Sequence, residues 1–209
     1  MSEQSVVDAL AADRVLPVVA VDDPSVVVDL CASLLRGGIS CIEITFRTDA
    51  AAEAIAHAVE VEGMLVGAGT VLSAEQARLA AGAGAAFAVA PGTDDEVIAA
   101  CDELALPFFP GVATPSELGH ALRLGRTAVK VFPAAQLGGP AFLRAVSATF
   151  PKARFIPTGG VDADSLASYL AVPQVLACGG SWIAERTLVA ERRFEEITRR
   201  AHAAMELAA

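Results

Sequence analysis

Short runs rich in Val and Ile recur along the chain at nearly even spacing, alternating with Ala- and Leu-rich segments of helical period. This recurrence limits the fold more than any other feature. The runs centre on Val18, Ile42, Val66, Ala88, Phe108, Val129, Ile156 and Leu176, in steps of 20 to 27 residues. Each step holds one strand, one helix and two short loops, the connection that parallel strands need. Helix starts fall between the runs: Pro24-Ser25, Ser73, Thr93-Asp94-Asp95-Glu96 and Thr114-Pro115-Ser116-Glu117 all have capping chemistry. Eight such units in 209 residues predict a single-domain (β/α)8 TIM barrel, with a short N-terminal helix in 1–14, barrel elements over 15–184 and a C-terminal helix over 185–209. The competing doubly wound sheet would carry Gly-x-Gly-x-x-Gly after its first strand, where this chain has Val21-Asp22-Asp23-Pro24.

The charge balance narrows the partners. A net charge of -10 argues against nucleic acid and anionic membranes, so any anionic ligand must be held by local groups. The acidic start, Met1 to Asp13, lacks the order of a secretory signal, and the uncharged stretch from Ser165 to Ala184 is broken by Pro173, Gly179 and Gly180. Cys31, Cys41, Cys101 and Cys178 are widely spaced and form no Cys-x-x-Cys pair, which favours buried thiols in a reducing cytoplasm.

Two strands carry ionisable groups among apolar ones. In Ala128-Val129-Lys130-Val131-Phe132, Val129 and Val131 share one face and Lys130 lies on the other. In a half-exposed sheet that lysine would face water. In a barrel covered by helices it points inward, where burial is costly and lysine is tolerated chiefly with a partner and a task. Strand two repeats the pattern: Ile42 and Ile44 suit the helix side, so Cys41, Glu43 and Thr45 face the interior. Glu43 and Lys130 therefore enter one dry space and can share a proton. A purely structural ion pair is the competing reading.

Around them lie groups suited to anions. Arg47 follows strand two, and Thr70 follows the Gly67-Ala68-Gly69 end of strand three. Together they could hold a carboxylate, since a guanidinium offers paired donors; a surface arginine and a capping threonine are the alternatives. Ala90-Pro91-Gly92 closes strand four. Gly159-Gly160 and Gly179-Gly180-Ser181 follow strands seven and eight, where helices should begin and backbone N–H groups could cradle a phosphate. His57, His120 and His202 fall in predicted helices without metal-ligand spacing, so no metal site is expected.

Glu43 to Thr48, Gly67 to Leu72, Lys130 to Ala134, Pro157 to Val161 and Gly179 to Trp182 resemble, in order, the motifs of the 2-dehydro-3-deoxy-phosphogluconate (KDPG) aldolase family of the Entner–Doudoroff pathway. The resemblance implies a cytoplasmic, metal-free class I lyase without cofactor, usually a homotrimer, that cleaves KDPG to pyruvate and glyceraldehyde 3-phosphate. It implies Lys130 as the Schiff-base residue and Glu43 as general acid/base. Arg47, Thr70 and Pro91 would meet the pyruvate carboxylate, Phe132 and Thr158 the hydroxyl-bearing part, and Gly159, Gly160, Gly179, Gly180 and Ser181 the phosphate. Family members often have an acid where this chain has Ala135. The galactonate-series aldolase, 4-hydroxy-2-oxoglutarate cleavage and, in a different class, a phosphosugar isomerase or a silent phosphosugar-binding barrel are the alternatives; Val21-Asp22 and Thr158 favour the gluconate series.

Overall fold

Every strand pairing is parallel, as helix-long connections require. The computed structural model describes residues 1–209. Its strands are β1 (Val15–Val19), β2 (Cys41–Thr45), β3 (Leu65–Gly69), β4 (Phe87–Val89), β5 (Phe108–Phe109), β6 (Gly111–Val112), β7 (Ala128–Val131), β8 (Arg154–Pro157) and β9 (Cys178–Gly180). The helices are α1 (Glu3–Asp13), α2 (Val27–Arg36), α3 (Ala51–Ala58), α4 (Ala74–Gly82), α5 (Asp95–Glu103), α6 (Pro115–Arg123), α7 (Gly139–Thr149), α8 (Ala163–Leu170), α9 (Arg186–Ala190) and α10 (Phe194–Ala208). The result is an α/β fold built on a curled parallel sheet of six strands, ordered β5-β4-β3-β2-β1-β9, beside a second sheet ordered β6-β7-β8.

The capping residues act as their chemistry predicts. Ser73 accepts from the Gln76 N–H and Asp94 from the N–H groups of Glu96 and Val97, while Thr114 and Glu117 form a reciprocal capping box. Helices then cover the sheet so closely that β1, β2 and β7 are buried at every position. A strand that is dry on both faces must pair any charge it carries internally.

Three expectations need correction. Eight uniform strands of a (β/α)8 barrel are not what the pairing displays, because the fifth strand is cut at Pro110. β5 pairs with β4 and β6 pairs with β7, and the residue between them has no N–H to give a ladder; its carbonyl accepts from the Lys130 N–H at 2.9 Å. The last strand starts at Cys178, later than its expected centre at Leu176, and β8 meets this segment only through the isolated bridges Phe155–Val175 and Thr158–Gly179. The C-terminal segment over 185–209 is two helices, α9 and α10, parted at Arg192 with φ 54°. At Gly37, just after α2, an added Cβ would lie 2.3 Å from Ala201 Cβ, so that glycine lets α10 pack against the end of α2.

Candidate active site

Glu43 sits mid-strand in β2, fully buried, in register with Val18 of β1 and Gly67 of β3. Lys130, in β7, is 4% exposed, and its Nζ donates to Glu43 Oε1 at 3.0 Å. The other carboxylate oxygen, Oε2, is buried without a protein partner. A carboxylate that keeps one oxygen unbound in a dry place holds acceptor capacity in reserve. The space it occupies exists because Gly69 has no side chain: a Cβ there would lie 2.2 Å from Glu43 Oε1. Directly after Gly69, Thr70 takes a left-handed φ of 57°, a conformation that costs a β-branched residue energy.

Above the pair lies a cavity of about 400 Å³, at the C-terminal ends of the strands. Arg47, Thr70 and Pro91 line one side of the sequence-predicted set, Lys130 and Phe132 come from the β7 end, and Thr158, Gly159, Gly160, Gly180 and Ser181 complete it. No Asp or Glu lines this cavity, whereas Arg47 and Lys130 both do. In a chain of net charge -10 this is a local reversal of sign, suited to an anion. The Phe132 ring centroid lies 5.9 Å from Lys130 Nζ, a cation–π distance.

The glycine rim is built differently from expectation. Gly159 and Gly160 have φ of 94° and 74°, and Asp162, which follows them, uses its carboxylate to cap α8 at Ser165. The backbone N–H groups of Gly159, Gly160, Val161 and Ser181 donate to no protein acceptor, which leaves them free for a ligand. The second glycine pair lies in β9 itself, and α9 begins only at Arg186. Gly179 does not line the cavity: its Cα faces Thr158, whose Oγ1 would be 2.2 Å from an added Cβ. Gly179 thus sits behind Thr158 and off the cavity wall. Glu43 likewise reaches the cavity only through Lys130.

Sequence reading missed Val18 and Val161 and gave Thr45 no task, though all three line the cavity. Val18 comes to the cavity through the register that sets it beside Glu43, which the sequence does not display. The histidines stand apart: His57 Nδ1 is 3.1 Å from the Pro24 carbonyl oxygen, and His120 pairs with Asp95 at 2.7 Å. Nowhere do three or more His, Cys, Asp or Glu side chains converge.

Parallel strands that bring one buried amine and one acid beneath a cation-lined cavity define an α/β enzyme of the lysine-dependent aldolase class. The family model described as KDPG and KHG aldolase matches residues 6–200, and the chain belongs to that family. It is 45% identical over 195 residues to the 2-dehydro-3-deoxy-phosphogluconate aldolase of Treponema pallidum, covering 93% of each chain. Among solved structures, the KDPG aldolase of Legionella pneumophila, with pyruvate captured at low pH as a covalent carbinolamine intermediate, superposes with a TM-score of 0.91 at 36% identity, covering 95% of this chain and 97% of that one. The 2-keto-3-deoxy-6-phosphogluconate aldolase of Zymomonas mobilis ZM4 with 3-phosphoglycerate gives 0.89 at 34% identity, with 97% and 96% covered.

Proposed function

We propose that the protein cleaves 2-dehydro-3-deoxy-6-phosphogluconate to pyruvate and D-glyceraldehyde 3-phosphate through a Schiff base on Lys130, without a metal or cofactor. The observation that carries this reading is the 3.0 Å hydrogen bond between Lys130 Nζ and Glu43 Oε1 at the floor of an acid-free cavity. Passing a proton along that bond leaves an amine able to attack the C2 ketone. Addition gives a carbinolamine, and Glu43 returns its proton to the carbinolamine hydroxyl, which leaves as water and gives a protonated imine. Glu43 then takes the C4 hydroxyl proton, directly or through a water, the C3–C4 bond breaks, and its electrons form the enamine. Glyceraldehyde 3-phosphate leaves, C3 is protonated, and water releases pyruvate and restores the amine. Arg47, Thr70 and Pro91 border the pyruvate carboxylate, Phe132 and Thr158 the hydroxyls, and the free N–H groups of Gly159, Gly160 and Ser181, with Gly180 beside them, the phosphate. Binding there positions the reacting carbon from a distance.

We read the two sheets as arcs of one (β/α)8 ring within a single domain, a reading supported by the Thr158–Gly179 bridge and by one 64-residue hydrophobic cluster running from Val6 to Ala208. A place in the Entner–Doudoroff pathway follows from the substrate. A homotrimer is what the family resemblance implies, and a cytoplasmic location is supported by four free buried cysteines. No helix is long and apolar enough to cross a membrane.

The test uses the chain's own economy. It has two lysines, Lys130 and the exposed Lys152. Borohydride with pyruvate should leave one reduced adduct, mapping to Lys130. No adduct, or one on Lys152, would remove the aldolase reading in favour of an isomerase or a binding protein. Ratios of kcat/KM for the gluconate- and galactonate-series substrates decide between the epimers.

A further inference from the structure

We propose that Thr45 is a positioning residue that sets the guanidinium of Arg47 for the substrate carboxylate, an inference that rests on the aldolase reading above. Arg47 follows the end of β2 and borders three depressions: the main cavity, a cleft shared with Glu185 and Arg186, and a cleft shared with Asp49 and Gln76. Two of these offer a carboxylate that could draw a long cationic side chain away. Arg47 nevertheless forms no ion pair, and its one hydrogen bond runs from Nε to Thr45 Oγ1 at 2.9 Å.

Thr45 is itself immobile. It is 1% exposed, and its hydroxyl donates to the Val19 carbonyl of β1 at 3.0 Å. A hydroxyl has one proton to give, so donation to Val19 turns a lone pair toward Arg47. The contact occupies the Nε edge and leaves the two terminal nitrogens free, the pair that grips a carboxylate bidentately. A valine would fill the same space without either hydrogen bond, whereas serine would keep both. Thr45 thus acts through Arg47, and its loss should weaken capture of the carboxylate while sparing the imine chemistry.

The experiment measures the pyruvate concentration giving half-maximal borohydride trapping, and the extent of trapping at saturation. Thr45→Val should raise the half-saturating concentration about tenfold, the scale of one lost hydrogen bond to a charged group, with the plateau unchanged. Thr45→Ser should restore it to within about twofold, the scatter expected of a retained contact. In an Arg47→Met background, Thr45→Val should add less than about twofold, because coupled residues are not additive. Thr45→Ala carries the same expectation as Thr45→Val and replaces it if the valine variant does not fold. An unchanged half-saturating concentration in the hydroxyl-free variants, an equal loss in Thr45→Ser, or full additivity with Arg47→Met overturns the positioning role. Absence of trapping in the unmodified protein overturns the aldolase reading and this inference with it, so the two failures are told apart.

Discussion

The floor of the site and its glycine rim solve opposite problems. At the floor, side chains do the work: Lys130 and Glu43 are buried among apolar strands, and Gly69 gives way so that the carboxylate fits. At the rim, the backbone does the work: Gly159 and Gly160 turn through left-handed conformations and leave N–H groups without partners. Chemistry that moves protons needs groups held in a low-dielectric place, whereas a phosphate needs only donors and room. Damage to the floor should therefore strike turnover, and damage to the rim should strike binding of the phosphorylated substrate.

The largest effect tests the floor. Lys130→Met should abolish measurable turnover while circular dichroism still reports a folded chain, because methionine fills the apolar space but offers no amine to attack the ketone. Activity near that of the unmodified protein would end the comparison, since the floor would then hold no reacting group. Glu43→Gln comes next: loss of a positioned acid/base costs about 10² to 10⁴ in kcat, yet the amine remains and pyruvate should still be trapped by borohydride. A variant with unaltered kcat would take Glu43 out of the proton transfers.

The rim gives a smaller and more selective effect. In Gly160→Ala the new Cβ would lie 2.6 Å from Ala135 Cβ at a φ of 74°, so the turn must shift. Strain of about 1–3 kcal/mol at such a position predicts a KM for the phosphorylated substrate raised about tenfold or more. Half-saturation by pyruvate, which has no phosphate, should stay as it was. Equal losses for both ligands would show that the rim and floor are one unit, and the division drawn here would fail.

The two regions were also unequally legible in the sequence. Strand alternation alone separated Lys130 and Glu43 from their valine and isoleucine neighbours, because a period of two is written into any strand with distinct faces. The expectation of a barrel covered by helices then put that face, and both groups, inside. The rim has no such period. Gly179 and Gly180 read as a loop before a helix, yet they form β9, and α9 waits until Arg186. A glycine is equally at home in a tight turn, in a close approach and at a ligand, so its type does not say which. Pro110 was visible as a residue without an N–H, but the break it makes depends on which neighbours claim β5 and β6. The room Gly69 makes for Glu43 likewise depends on the β2–β3 register, in which Thr45 pairs with Gly69.

Away from the site, the buried thiols of Cys31 in α2, Cys101 in α5, Cys41 at the start of β2 and Cys178 at the start of β9 give a third comparison, where the sign of a pH effect tests whether the interior is dry beyond the floor. Burial pushes the Cys31 and Cys178 thiols up to about 12 and that of Cys101 up to about 11, from an ordinary value of 9.0. Cys41 is also raised well above that value, by burial first and then by Asp13. Raised values in the folded chain mean that, between pH 9 and about 12, the folded state binds more protons than the unfolded state. Stability from these groups is thus fully present below pH 9.0 and is lost as pH rises toward about 12. Around neutral pH stability does not vary with pH through these groups, so the variation appears only in the alkaline window. Urea midpoints should fall across that alkaline window, and Cys31→Ala with Cys178→Ala should flatten the fall even though each variant starts lower from the buried sulfur it has lost. Thiol alkylation of the native protein should be slow over the same range and quick once urea unfolds it. Rapid labelling of Cys178 at neutral pH would mean that water reaches the start of β9, and the dry interior on which the pairing of Lys130 with Glu43 depends would have to be drawn smaller.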